Sequence, residues 1–182
     1  MSIRVALTIG LAFILGACAG APRTEGQKES LSSSVKRSLD LAKANDSTFG
    51  SFFDSAYAFA VLPSVGKGGF IIGGAGGDGE VFKGGMLMGY CSMGQGTIGA
   101  TIGGQAFDEF IVFQNESSYN RFVLGQFTMT AQVSAVMVTA GAAASAGFKD
   151  GVAVFINNVK GAMVEAAVGG QQFNFTPLTT SK

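Results

Sequence analysis

The stretch that decides the fold is GKGGFIIGGAGGDGEVFKGGMLMGYCSMGQGTIGATIGGQ, residues 66–105, in which short apolar runs are broken repeatedly by glycine. The chain holds 28 glycines, spread through this region and its flanks rather than gathered in a linker. Glycine inside a strand marks a bulge, a sharp bend or the close approach of another backbone. The reading is therefore a strongly curved, glycine-rich antiparallel sheet, able at the limit to close like a barrel. Segments 68–77 and 80–91 flank Asp78-Gly79, a tight-hairpin signal. Gly94-Gln95-Gly96 reads as a turn into 97–105, where Ile98, Ala100 and Ile102 alternate with Gly99, Thr101 and Gly103.

Upstream, Ala58 to Leu62 reads as a short strand ended by Pro63. Before it the pattern is helical. From Ser30, Leu31, Val35, Leu39 and Ala42 recur at three- and four-residue spacing. Asn45-Asp46-Ser47 stops this helix and can cap a second one carrying Phe49, Phe52, Phe53 and Ala56. Downstream, Phe110 to Phe113 predicts a strand buried on both faces, and Asn115 predicts a cap for a short helix from Glu116 to Leu124. Residues 122–148 carry no charge, yet Phe127 to Ala135 alternate with period two, so a strand is expected there rather than a membrane-spanning helix. The Ala/Gly/Ser run 140–147 reads as loop or loosely packed strand. Strands at 150–157 and 162–175, with Asn157-Asn158 near their turn, close an α+β fold with N-terminal helices and one short central helix.

The first residues address the chain. Met1 to Arg4 is a short, singly charged region, and Val5 to Leu15 is an apolar run too short to span a bilayer. Leu15-Gly16-Ala17-Cys18 looks like a lipobox, at which a bacterial lipoprotein precursor is lipidated on cysteine and cut. The expected division is signal peptide 1–17 with cleavage between Ala17 and Cys18, a lipidated flexible tether 18–29, and one domain over 30–182. Cleavage after Ala17 or Ala19 by an ordinary secretory route is the alternative, and both export the protein. A diacylglyceryl cysteine exceeds the one-chain threshold of marginal membrane binding. With Ala19 after the cysteine, the expected location is the outer membrane, facing the periplasm.

Composition narrows the function. Without Arg4, eleven basic residues face twelve acidic ones, which argues against a nucleic-acid partner. Charged residues are 13% of the chain, against roughly 25% in an average soluble domain. There is no histidine, which removes Ser-His-Asp and Cys-His catalysis and the usual zinc sites. Once Cys18 is lipidated Cys91 has no partner, and its apolar neighbours predict a buried, inert thiol. The two GxGxxG matches, Gly74-Gly76-Gly79 and Gly94-Gly96-Gly99, run into β-like sequence instead of a helix and do not bind nucleotide. Ala143 to Gly147 lacks a base for Ser145. Asp108 and Glu109 point to opposite faces of a strand and do not form a glycosidase pair. No cofactor is expected.

Three segments resemble the SYLF domain, a lipid-binding family of eukaryotic membrane-trafficking and actin-patch proteins and of bacterial lipoproteins. They are AYAFAVLPSVGKGGFIIGGAGGDGEVF from Ala56, GQGTIGATIGGQAFDEFIVFQNESSYNRF from Gly94, and GVAVFINNVKGAMVEAAVGGQQFNF from Gly151. The third keeps only Lys160-Gly161 of the family's aromatic Lys-Gly turn. The resemblance implies a non-enzymatic domain that binds anionic phospholipid headgroups or acyl chains. It assigns headgroup contact to Lys36, Arg37, Lys43 and Lys67, with Leu31, Val35 and Leu39 packing on the sheet or inserting at the membrane interface. Membrane lipids are thus the expected partners. An envelope adaptor that uses its glycine-rich surface for protein partners is the alternative.

Overall fold

The structure is a computed structural model that describes residues 20–70, 72–129 and 135–178. Helix α1 spans Glu25–Asn45. Thr24 caps it, accepting the Gln27 backbone N–H while the Gln27 side chain accepts the Thr24 N–H, so two of the orphan donors at the helix start are satisfied. The helix begins five residues before the expected Ser30, which makes residues 25–29 of the expected flexible tether helical. Helix α2, Phe49–Asp54, follows directly.

Three strands then form the body of the sheet: β1, Ala58–Gly69; β2, Ile72–Lys83; and β3, Met86–Phe113. Helix α3, Glu116–Val123, is capped by Asn115 as expected. Two short strands, β4 (Thr128–Met129) and β5 (Val136–Met137), and the single-turn α4, Ala142–Ser145, lead into β6, Val152–Pro177. No helix among the described residues is long and apolar enough to cross a membrane.

Several expectations are corrected here. Asp78-Gly79 is not a turn, since both residues pair with β3 in mid-strand, opposite Ser92 and Cys91. The hairpin turn is Gly84-Gly85, whose φ values of 56° and 77° are left-handed and suited to glycine. Gly94-Gln95-Gly96 is extended strand. Asn157-Asn158 lies inside β6, where the register against β3 shifts between Ala106 and Asp108, so a bulge stands where a turn is expected. Pro63 does not end β1 but sits, with Ser64, at a second register shift, a position that tolerates a missing backbone donor. Of the expected strand over 127–135 the structure forms only Thr128–Met129, and residues 130–134 lie outside the described residues. The run 140–147 contains a helical turn.

The curvature comes from β3. One of its edges pairs with β2 along Met86–Ile98, and then with β1 along Gly103–Phe113. Its other edge pairs with β6 from Gly89 to Phe113. The two-stranded β3–β6 ribbon therefore passes around the tip of the β1–β2 hairpin. Gly103 lies at the bend with φ 115°, and a Cβ there would meet the Ala162 carbonyl oxygen at 2.3 Å. The sheet is not closed into a barrel. Among the described residues the outer edge of β6 receives only the two-residue strands β4 and β5, and β5 runs parallel to it.

Each face of the sheet buries its own core. The inner face gathers Leu62, Val65, Cys91, Met93, Ile111, Phe113 and Phe173 beneath Tyr119, Phe122 and Phe127. The other face packs Val61, Phe110, Val112 and Phe155 against Val35 and Ala42 of α1, Phe49 and Phe53 of α2, and Ala143 of α4. Phe110 to Phe113 are thus buried on both faces, as their sequence predicts.

Candidate functional site

Helix α1 crosses the sheet where β1 bulges at Pro63-Ser64, and grooves open beside it. One, with a volume of about 610 Å³, lies between Gly20, Pro22, Arg23, Gln27 and Leu31 on one side and Pro63, Ser64 and Asp78 on the other. The second, of about 390 Å³, is lined by Arg37, Ser38 and Leu41 of α1 and by Asp108, Asn158 and Lys160 of the sheet. Ser34, Pro63 and Ser64 line both, so the two form one trough along the helix.

The second groove is the polar one. Arg37 and Lys160 are exposed, and neither makes an ion pair among the described residues. Asp108 lies buried at its wall. Burial raises the pKa of that carboxyl, opposed by hydrogen bonds from Ser38 and Asn158 and by the charges of Lys160 and Arg37. Asn158 Nδ2 donates to Asp108 Oδ2 at 3.4 Å. Asn158 reaches it from the β6 bulge with φ 54°, a conformation asparagine tolerates better than most residues. The set offers two cations to an anion, with the acid held in place behind them by Ser38 and Asn158.

The four expected headgroup residues are not brought together. Arg37 lines the groove. Lys36, one position earlier, is exposed and lines neither groove, and Lys43 sits in the last turn of α1, where it complements the helix dipole. Lys67 is half-buried on β1, and its charge acts on Glu109. The residue that sequence reasoning left out is Lys160, 123 positions from Arg37 in the chain. Its signal was the retained Lys-Gly of the third segment. Cys18 and Ala17 lie outside the described residues. The stripe Leu31, Val35, Leu39 packs inward, Val35 being buried and the leucines lying against the helix-face core, so it is spent on the sheet and is not free to insert. Neither comparison with known proteins adds a relative: no family model matches the chain, and no curated protein matches it.

A second polar cluster lies on the inner face. Glu109 is 1% exposed. Its carboxyl is pushed up to about 7 by burial, countered by a hydrogen bond with Gln171 and by the charge of Lys67. Gln171 in turn donates to Gln95 Oε1 at 3.4 Å. Glu109 Oε2, Gln171 Oε1 and Thr97 Oγ1 are buried without a hydrogen-bond partner among the described residues. Cys91 is buried nearby in the apolar part of this face, and burial pushes its thiol up, away from the reactive thiolate.

Proposed function

We propose that this protein is an exported, Cys18-anchored bacterial lipoprotein whose SYLF-like domain binds the anionic headgroups of phospholipids and performs no catalysis. The observation that carries the reading is that Arg37 and Lys160 line one groove, both exposed and neither in an ion pair among the described residues, so that one phosphate can meet both. Charge-assisted hydrogen bonds to phosphate are among the stronger polar contacts, and each basic residue near an anionic surface contributes about 1 kcal/mol. The position of the tether supports the same reading. Gly20, two residues after Cys18, lies in the same trough and donates its backbone N–H to Asp78. The trough therefore opens within a short reach of the anchor.

The test is flotation of protein beginning at residue 20, without Cys18 but with the Thr24 cap intact, on neutral and anionic vesicles at two salt concentrations. Salt-sensitive association with anionic vesicles alone is expected. Absence of flotation under all four conditions would leave the membrane connection to Cys18 and remove headgroup binding from the domain.

A further inference from the structure

Beyond α1, the sheet projects as a glycine-rich end that no helix among the described residues covers. Along the helix-facing side of β2, Asp78 is followed by Gly76, Gly74 and Ile72, alternate residues that share a face. Gly74 belongs to a cross-strand row of five glycines: Gly104, Gly68, Gly74, Gly96 and Gly170 stand in register. The next row toward α1 runs Ala106, Gly66, Gly76, Gly94 and Gln172. A Cβ at Gly66, Gly94 or Gly96 would meet nothing within 4 Å, so internal packing does not account for these glycines. The smooth strip ends in exposed apolar side chains at the bend. Phe70 is 69% exposed, Ile72 75% and Ile102 60%.

We propose that this tip, Phe70 and Ile72 of the β1–β2 hairpin with Ile102 beside it, inserts into the bilayer that holds Cys18. The inference rests on the lipoprotein reading and adds a second, independent point of membrane contact. The occupant follows from charge and reach. Residues 68–77 and 84–107 contain no charged side chain, and the one acid in 161–178, Glu165, stands in register with Thr101. Lys160 pairs with Ala106, four residues behind Ile102, or about 13 Å at the rise of a strand. Interfacial segments bury their apolar face by about 5–10 Å, so an inserted tip leaves Lys160 near the phosphates. The first described residue, two positions after Cys18 in sequence, lies on the same side. Gly20 is held at Asp78, six residues along β2 from Ile72, and the strip between them has few side chains to hold a bilayer away. The inward-packed stripe of α1 leaves the tip, rather than the helix, as the inserting element.

The chain has no tryptophan, so one introduced indole reports its own depth. Full-length lipidated protein carrying Phe70→Trp, and separately Met86→Trp, is reconstituted into phosphatidylcholine–phosphatidylglycerol vesicles with and without brominated acyl chains. Met86 is 68% exposed beside the Gly84-Gly85 turn, at the opposite end of β2 from Ile72. Insertion predicts a blue-shifted Phe70→Trp emission, quenched by on the order of half by the brominated chains at low and high salt, with Met86→Trp unaffected. Flotation with vesicles but no quenching of Phe70→Trp overturns the insertion while leaving the anchor intact, as does equal quenching at both positions. A protein that does not float and whose Cys18 is unmodified by mass overturns the lipoprotein reading and the insertion with it. Circular dichroism matching the parent shows that each variant is folded.

Discussion

The Asp46 carboxylate, just past the end of α1, accepts the backbone N–H of Ala143 at 2.7 Å from 97 residues away. It also accepts from the Gly141 N–H, the Thr48 N–H and the Thr48 hydroxyl. One buried side chain thus fastens the α1–α2 corner to α4 and satisfies donors that have no helical partner of their own.

Removing that fastening is expected to be costly. Burial alone would raise the Asp46 pKa, but its hydrogen bonds outweigh this and hold it at about 2. A folded value below the ordinary one means that the stabilisation is present above about pH 4 and is lost as pH falls toward 2. Asp46→Ala is expected to cost about 2–3 kcal/mol near neutral pH, the range of charge-assisted hydrogen bonds. Thermal melts across pH check this: the gap between the parent and Asp46→Ala should narrow below about pH 4.

Glu109 has the opposite sign. Its folded pKa, pushed up to about 7, exceeds that of an unfolded glutamate, so its contribution is present below about pH 4.5 and is lost as pH rises through 7. Glu109→Gln keeps the shape and removes the titration. The variant is expected to melt close to the parent at pH 5 and above it at pH 8. A variant less stable than the parent at pH 8 contradicts this assignment.

In the polar groove, neighbouring cations should behave differently. Arg37→Gln and Lys160→Gln are each expected to weaken anionic-vesicle binding by about five-fold, which corresponds to about 1 kcal/mol per basic residue. Lys36→Gln, at a position that lines neither groove, should have the smaller effect. Vesicle partitioning at fixed ionic strength measures all three, and equal losses would point to diffuse attraction rather than a site.

The glycines divide into two classes that alanine distinguishes. At Gly89 a Cβ would lie 2.3 Å from the Thr176 carbonyl oxygen and 2.8 Å from Pro177 Cα. Gly89→Ala must displace β6 and is expected to cost more than about 2 kcal/mol. At Gly94 a Cβ meets nothing within 4 Å, and Gly94→Ala is expected to be neutral or stabilising by up to about 1 kcal/mol, through the unfolded chain. Denaturant titrations of the two variants decide the matter.

How far the sequence could be read depended on whether a signal was local. The Asn115 cap, the phenylalanines of α2 and the doubly buried Phe110 to Phe113 are written in a few adjacent residues, and the structure forms each of them. Glycine was the ambiguous letter. Asp78-Gly79 and Gly94-Gln95-Gly96 look like turns in isolation, but pairing with β3 holds the first extended and pairing with β2 and β6 holds the second, whereas Gly84-Gly85 turns with the same residue type. The sequence therefore suggests three shorter segments where β3 runs unbroken and two where β6 does. The groove was half legible for a similar reason: Arg37 lies on a visibly basic helix, while Lys160 and Asp108 join it only through the register of β3 with β6.

That register also sets an order of assembly. The β3 edge along Gly89–Gly96 pairs with Gly170–Pro177, so it must wait for some eighty further residues to be synthesised before it is covered. Until then it is a long, uncharged strand with open hydrogen-bonding groups, the kind of template on which chains aggregate. Non-local pairing of this kind is also slow to form. A chain interrupted within β6 would keep its helices and the β1–β2 hairpin and still present that edge to every neighbour, which makes the interval before β6 docks the hazardous one in the life of this protein.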